Sequence, residues 1–273
     1  MPPERRYHPR PARGSVMGTF FIVFGTVFAA LWFTTSMWPA LVLLSFHFGR
    51  VFLFRASHAS AVQRNQNAVN LLNAGRIDEA AEIFDDLARA ERRTAAHPVY
   101  VFNRAVAYVL QGRARRAFSL FNAVERSRAF VTEPGRTYLP LLYIELGTCL
   151  ALLGQLEQAQ HYRALAHRTL DPADRGHPAI FLDALVLVRS GQLVEADAYI
   201  RGHWRTAEGT LRVPTMRALR VVSAFTIAGL ASSRAPDVRG LLNGVRPCRR
   251  GEFDWVGAHW PELLAFLDAQ GLR

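Results

Sequence analysis

The chain has 273 residues, half of them hydrophobic, which suffices for one helical domain plus a membrane segment or for two small domains. Its 33 basic residues outnumber 22 acidic ones and all are arginine; they are scattered rather than gathered on one face, which excludes the usual nucleic-acid modules. Two cysteines, Cys149 and Cys248, and nine histidines with no HExxH spacing exclude a disulfide framework and a structural metal site, so no metal or cofactor is expected.

Residues 1–15 form a basic arm with Arg5, Arg6, Arg10 and Arg13. From Ser15 to Gly49 no Asp, Glu or Arg occurs. Within that stretch Val16 to Met37, as a helix of roughly 33 Å, is long enough to cross a hydrocarbon core. A second apolar run, 40–54, follows Pro39, a good helix start, and contains Arg50 near its end, where a long side chain can reach the headgroups. Residues 16–55 are therefore expected to be a membrane anchor, either one transmembrane helix (16–37) with an interfacial second helix or a helical hairpin (16–37 and 40–54). In the hairpin, arginines flank both outer ends and none lies in the connecting turn. The bias of positive charge then places the remainder in the cytoplasm, on the inner membrane of a bacterium; a single span would place it outside.

From residue 56 onward one pattern recurs. Leu71–Phe84, Tyr108–Phe121, Leu150–Arg163 and Leu187–Ile200 each contain a helix-like run, a glycine-centred turn and a second run with alanine five residues after the glycine. The glycines are Gly75, Gly112, Gly154 and Gly191, separated by 37, 42 and 37 residues, a period typical of stacked helix-turn-helix units. Ala80, Ala117, Ala159 and Ala196 leave room for close helix approach, and a large apolar residue follows at Phe84, Phe121 and Ile200. Arg163 breaks the pattern. Pro98, Pro140, Pro172, Pro178 and Pro214 fall before or between these helices, so the region is expected to be all-α.

These residues resemble the tetratricopeptide repeat family. That pattern places a small residue at position 8 (here Ala68, Ala105, Gly147, Ala184), a large one at 11 (Leu71, Tyr108, Leu150, Leu187), glycine at 15, alanine at 20 and an aromatic at 24. Tryptophan at position 4 is absent and proline does not recur at 32. The resemblance implies an α-solenoid over 56–209 whose first helices line a groove through Val69, Leu72, Phe102, Val106, Val109, Ile144, Phe181, Leu185 and Val188. It also implies a role in holding proteins together. The lining is apolar. Such a groove suits an amphipathic helix or an apolar peptide if open, whereas the same side chains are core if the pairs pack more tightly. Recognition of a C-terminal carboxylate is not expected, because Glu145 stands where that use needs a basic residue.

Residues 210–273 are expected to be helices that cap the array, ending in an amphipathic helix that starts at Trp260-Pro261. No nucleophile-base pair, carboxylate pair or phosphate loop stands out, so no catalytic residue is assigned. The expected function is a membrane-anchored scaffold with a protein partner and no nucleic acid. A permanently assembled structural subunit of a membrane complex is the alternative.

Overall fold

The computed structural model describes residues 23–27, 38–171, 178–230 and 235–273. All regular structure among them is helical, as the proline and glycine placement requires. The chain divides into two compact units, 1–64 and 65–273.

In the first unit residues 23–27 are helical, and most of the expected 16–37 span lies outside the described residues. Helix α1 (Trp38–Asn73) begins at the anticipated Trp38-Pro39 start. It does not end near residue 54. The 55–73 stretch contains neither proline nor glycine, so nothing interrupts the hydrogen-bond ladder, and the second apolar run and the first repeat helix are one element. Val42, Leu43, Phe46 and Phe48 on α1 are exposed. Among the described residues one helix is long and apolar enough to cross a membrane, and it is not α1 but Val213–Leu230, half of which is buried inside the protein.

The second unit starts with the last turns of α1 and continues through α2 (Ile77–Ala90), α3 (His97–Leu110), α4 (Ala114–Arg126), α5 (Leu139–Leu152) and α6 (Leu156–Thr169). Then follow α7 (Ile180–Arg189), α8 (Leu193–Thr210), α9 (Val213–Leu230), α10 (Ala235–Asn243), α11 (Asp254–Gly257) and α12 (Pro261–Ala269). Four helix-turn-helix pairs result: the end of α1 with α2, α3 with α4, α5 with α6 and α7 with α8.

Each pair turns the same way for the same reason. The turn glycines sit at φ between 75° and 80°, where a side chain is strained. Each glycine N–H returns to a carbonyl three residues back, and the next N–H reaches five back, as in Arg113 to Tyr108 (2.8 Å) and Gln155 to Leu150 (2.9 Å). This arrangement satisfies the last carbonyls of the first helix and reverses the chain.

The alanines five residues on are fully buried, as are Ala68, Ala105 and Ala184 on the first helices. At Gly147, the equivalent of those three, a Cβ would stand 2.9 Å from a Leu182 methyl, so α5 and α7 approach more closely than alanine allows. Phe84, Phe121 and Ile200 fill the space one turn beyond Ala80, Ala117 and Ala196. First helices pack on one another (α3 on α5, α5 on α7, α7 on α9), and each second helix packs on the first helix of the following pair.

The 42-residue interval is explained by the α4–α5 connection. It folds Phe130 and the 3-10 turn Gly135–Tyr138 back on the core, with Phe102 contacting Phe121, Phe130 and Tyr138 at ring separations of 5.4, 6.0 and 6.0 Å. Helix α9 packs on α7, α8 and α10 and is thus a core helix of this unit.

Candidate partner-binding site

The nine positions proposed as a groove lining are not an open surface. Leu72, Phe102, Val106, Val109, Ile144, Phe181, Leu185 and Val188 are all buried and Val69 is half-buried. Two causes act. Phe102 points into the aromatic cluster around Phe130 instead of along the shared face of the first helices. Elsewhere on that face the chain covers itself: the Trp255 ring meets Phe181 at 5.7 Å, and its backbone lies 3.5 Å from where a Cβ on Gly112 would stand.

A cleft of about 160 Å³ remains between α3, α5, α7, the start of α9 and Trp255. Val106, Val109, Ile144 and Phe181 from the expected set reach it, so the structure brings those four together; Val69, Leu72, Phe102, Leu185 and Val188 do not line it. Its volume matches a cavity that holds one benzene-sized group. Thr148, Thr210 and Thr215 add hydroxyls, and Glu145 and Arg212 face each other at 3.4 Å. Burial pushes the Glu145 acid up, and Arg212 opposes this only in part. Burial likewise raises the Cys149 thiol well above its ordinary value, so it is an inert core group.

Sequence reasoning placed Glu145 on this face but missed Arg212 and Trp255, which arrive from the irregular C-terminal third. No periodic signal marks them. A second cleft, of about 200 Å³, lies between the α4–α5 connection and α5, lined by Phe130, Leu142 and Tyr143 among others.

One polar cluster in the core was also missed. Asp183 on α7, 1 % exposed, accepts from Arg163 Nε (2.5 Å) and Tyr199 Oη (2.5 Å) and lies 3.0 Å from His167 Nε2. Burial works to raise its carboxyl, but the hydrogen bonds from His167 and Tyr199 and the Arg163 charge outweigh it and hold the acid below the usual range. The Tyr199 phenol is pushed far up by burial and by the Asp183 charge. The one available signal was Arg163 itself, standing where the repeat needs a large apolar residue. The cluster joins α6, α7 and α8. Among the described residues no group of His, Cys, Asp and Glu could hold a metal ion.

Neither a protein-family model, nor a curated protein, nor a solved structure matches this chain.

Proposed function

We propose that this chain is a membrane-anchored scaffold of the tetratricopeptide kind, holding a protein partner on the face formed by α3, α5 and α7. The observation that carries the reading is the fourfold recurrence of one unit: a positive-φ glycine, the same turn hydrogen bonds and a fully buried alanine five residues later. Stacked units of this kind form solenoids, whose extended faces bind other polypeptides. The cleft beside Trp255 supplies a seat for one large apolar side chain, and the charged pair at its wall supplies direction.

Anchoring in the membrane is supported by the uncharged 16–37 run and by the exposed Val42, Leu43, Phe46 and Phe48. A large apolar surface of that kind needs lipid or a partner to cover it. In the hairpin arrangement the repeats lie in the cytoplasm of a bacterial cell; a reporter fused after Arg273 tests this, and activity of a periplasm-dependent reporter would refute it. The second reading, a permanently assembled subunit of a membrane complex, draws on the exposed Val42, Leu43, Phe46 and Phe48, which companion subunits would cover in place of lipid.

Affinity purification in mild detergent separates the two. A scaffold should be recovered largely alone, with partners below stoichiometry, and a structural subunit with stoichiometric companions. Recovery of the full-length chain in the soluble fraction, or its extraction by carbonate, would overturn the membrane reading common to both.

A further inference from the structure

The face assigned to a partner is covered by the chain itself, and the covering segment has the features of a ligand. After α10 the chain runs through an exposed stretch that includes Arg246, Pro247, Arg249 and Arg250, then returns over α3 and α7. Trp255 is the anchor. Its ring packs against Phe181, and its backbone passes beside the Gly112 turn.

Arg189, at the end of α7, grips the next turn from two directions: Nη2 donates to the His259 carbonyl at 2.9 Å and the guanidinium lies 5.0 Å from the Trp260 ring centre. The segment also packs on α9, where the Phe225 ring meets Trp260 at 5.2 Å and Phe266 at 5.6 Å and Arg217 pairs with Glu252 at 2.5 Å. Arg273 pairs with Asp254 (3.2 Å) and Asp268 (3.1 Å), and Arg246 donates to the Gln270 carbonyl (2.8 Å). It is thus joined to the repeats by one linker, tied within by its own ion pairs, and seated by aromatic anchors and by the Arg217–Glu252 pair on α9. The fit beside Trp255 is incomplete, as the residual cleft shows.

We infer that residues 251–273 are an intramolecular ligand for the face formed by α3, α7 and α9, and that the partner displacing them is a polypeptide segment with a tryptophan ahead of a short amphipathic helix. The occupant states the chemistry. Tryptophan and arginine are enriched among energetic anchors, and the Arg189 fork beside Trp260 takes a main-chain carbonyl of the kind a polypeptide offers. Only the identity of the displacing partner rests on the scaffold reading; the seat itself does not.

The test uses the full-length chain in detergent with a specific protease site inserted between Arg249 and Arg250, and a fluorescent synthetic peptide covering residues 251–273. While uncut, the tethered segment competes at the millimolar effective concentration of a short linker, so peptide binding should be at least tenfold weaker than after cutting. The cut protein should take up one labelled peptide and release its own fragment, and a Trp255→Ala peptide should bind at least tenfold more weakly. In the uncut chain Trp255→Ala, which weakens only the tethered segment, should raise uptake of the unaltered peptide. Retention of the original fragment without exchange over days would overturn the inference, because the segment would then be integral core. Equal binding to cut and uncut protein would do so too, by placing the peptide elsewhere, as would loss of the cooperative helical melt on cutting. If exchange succeeds but no cellular protein copurifies with the cut form, the scaffold reading fails while the displaceable segment stands.

Discussion

The guanidinium of Arg163 reaches across from α6 to the buried carboxylate of Asp183 on α7, 2.5 Å away, and replaces the apolar contact that closes the other repeats. Because Asp183 is 1 % exposed and held by three side chains, its replacement by an amide removes the charge that Arg163 pairs with and turns an NH2 group toward one of the donors. Asp183→Asn should cost about 3 kcal/mol at neutral pH, in the range for breaking a buried pair. The sign of the pH dependence follows from the depressed acid. Its contribution is complete above the ordinary carboxyl range and is lost as pH falls through the lower folded value. Melting temperatures of wild type and Asp183→Asn should therefore differ by a steady amount from pH 7 down to about pH 4 and converge only as pH falls further. A difference that persists unchanged at the acid end would count against it.

Glu145 should behave in the opposite sense. Its acid is raised by burial, so its neutral form is favoured in the fold; that contribution is complete below the ordinary carboxyl value and is lost as pH rises through the folded one. Near neutrality the charge is a burden that Arg212 offsets in part. Glu145→Gln should melt no lower than wild type at pH 7, whereas Arg212→Gln, which strips the carboxylate of its counter-charge, should melt lower. A marked loss of stability in Glu145→Gln would show the pair to be net stabilising.

Phe102 and Phe181 are packing residues in the isolated chain. Truncating either to serine should cost about 3–5 kcal/mol, the usual range for a buried aromatic. Chemical denaturation of the repeat unit measures this. A change under 1 kcal/mol at Phe181 would mean that Trp255 does not seal it in solution.

Close helix approach makes a steric prediction. Ala117 is fully buried, and adding the leucine side chain should cost about 1–3 kcal/mol through strain. Gly147 should be less tolerant, because even its first added carbon would meet Leu182 at 2.9 Å. Gly147→Ala should lower the melting temperature, while alanine at the open Gly202, on the exposed side of α8, should not.

Much of the helical core was legible because repetition amplifies weak local signals. One glycine is ambiguous, but Gly75, Gly112, Gly154 and Gly191, each followed at the same interval by a small residue, fix where every pair turns. Burial of Ala80, Phe84, Ala117 and Phe121 follows from that spacing alone. The open or closed state of the face could not be read, since Val106 or Phe181 has the same sequence signature whether a partner or the chain's own Trp255 covers it. The continuation of α1 past residue 54 was missed because polarity changes there while backbone preference does not. Arg163 and Tyr199 lie 20 and 16 positions from Asp183, beyond any local pattern, and the three meet only when three helices pack.

Arg189 also donates to the carbonyls of Ala151 and Leu152 at 2.8 and 2.7 Å, while its other terminal nitrogen serves His259. One planar group therefore acts as a spacer gauge between the end of α5 and the turn before α12, with the separation set by the fixed spread of its N–H vectors. A lysine ammonium has a single nitrogen centre and cannot hold both edges at that distance. In a chain without lysine, this fork sets the clearance between the end of α5 and the turn before α12.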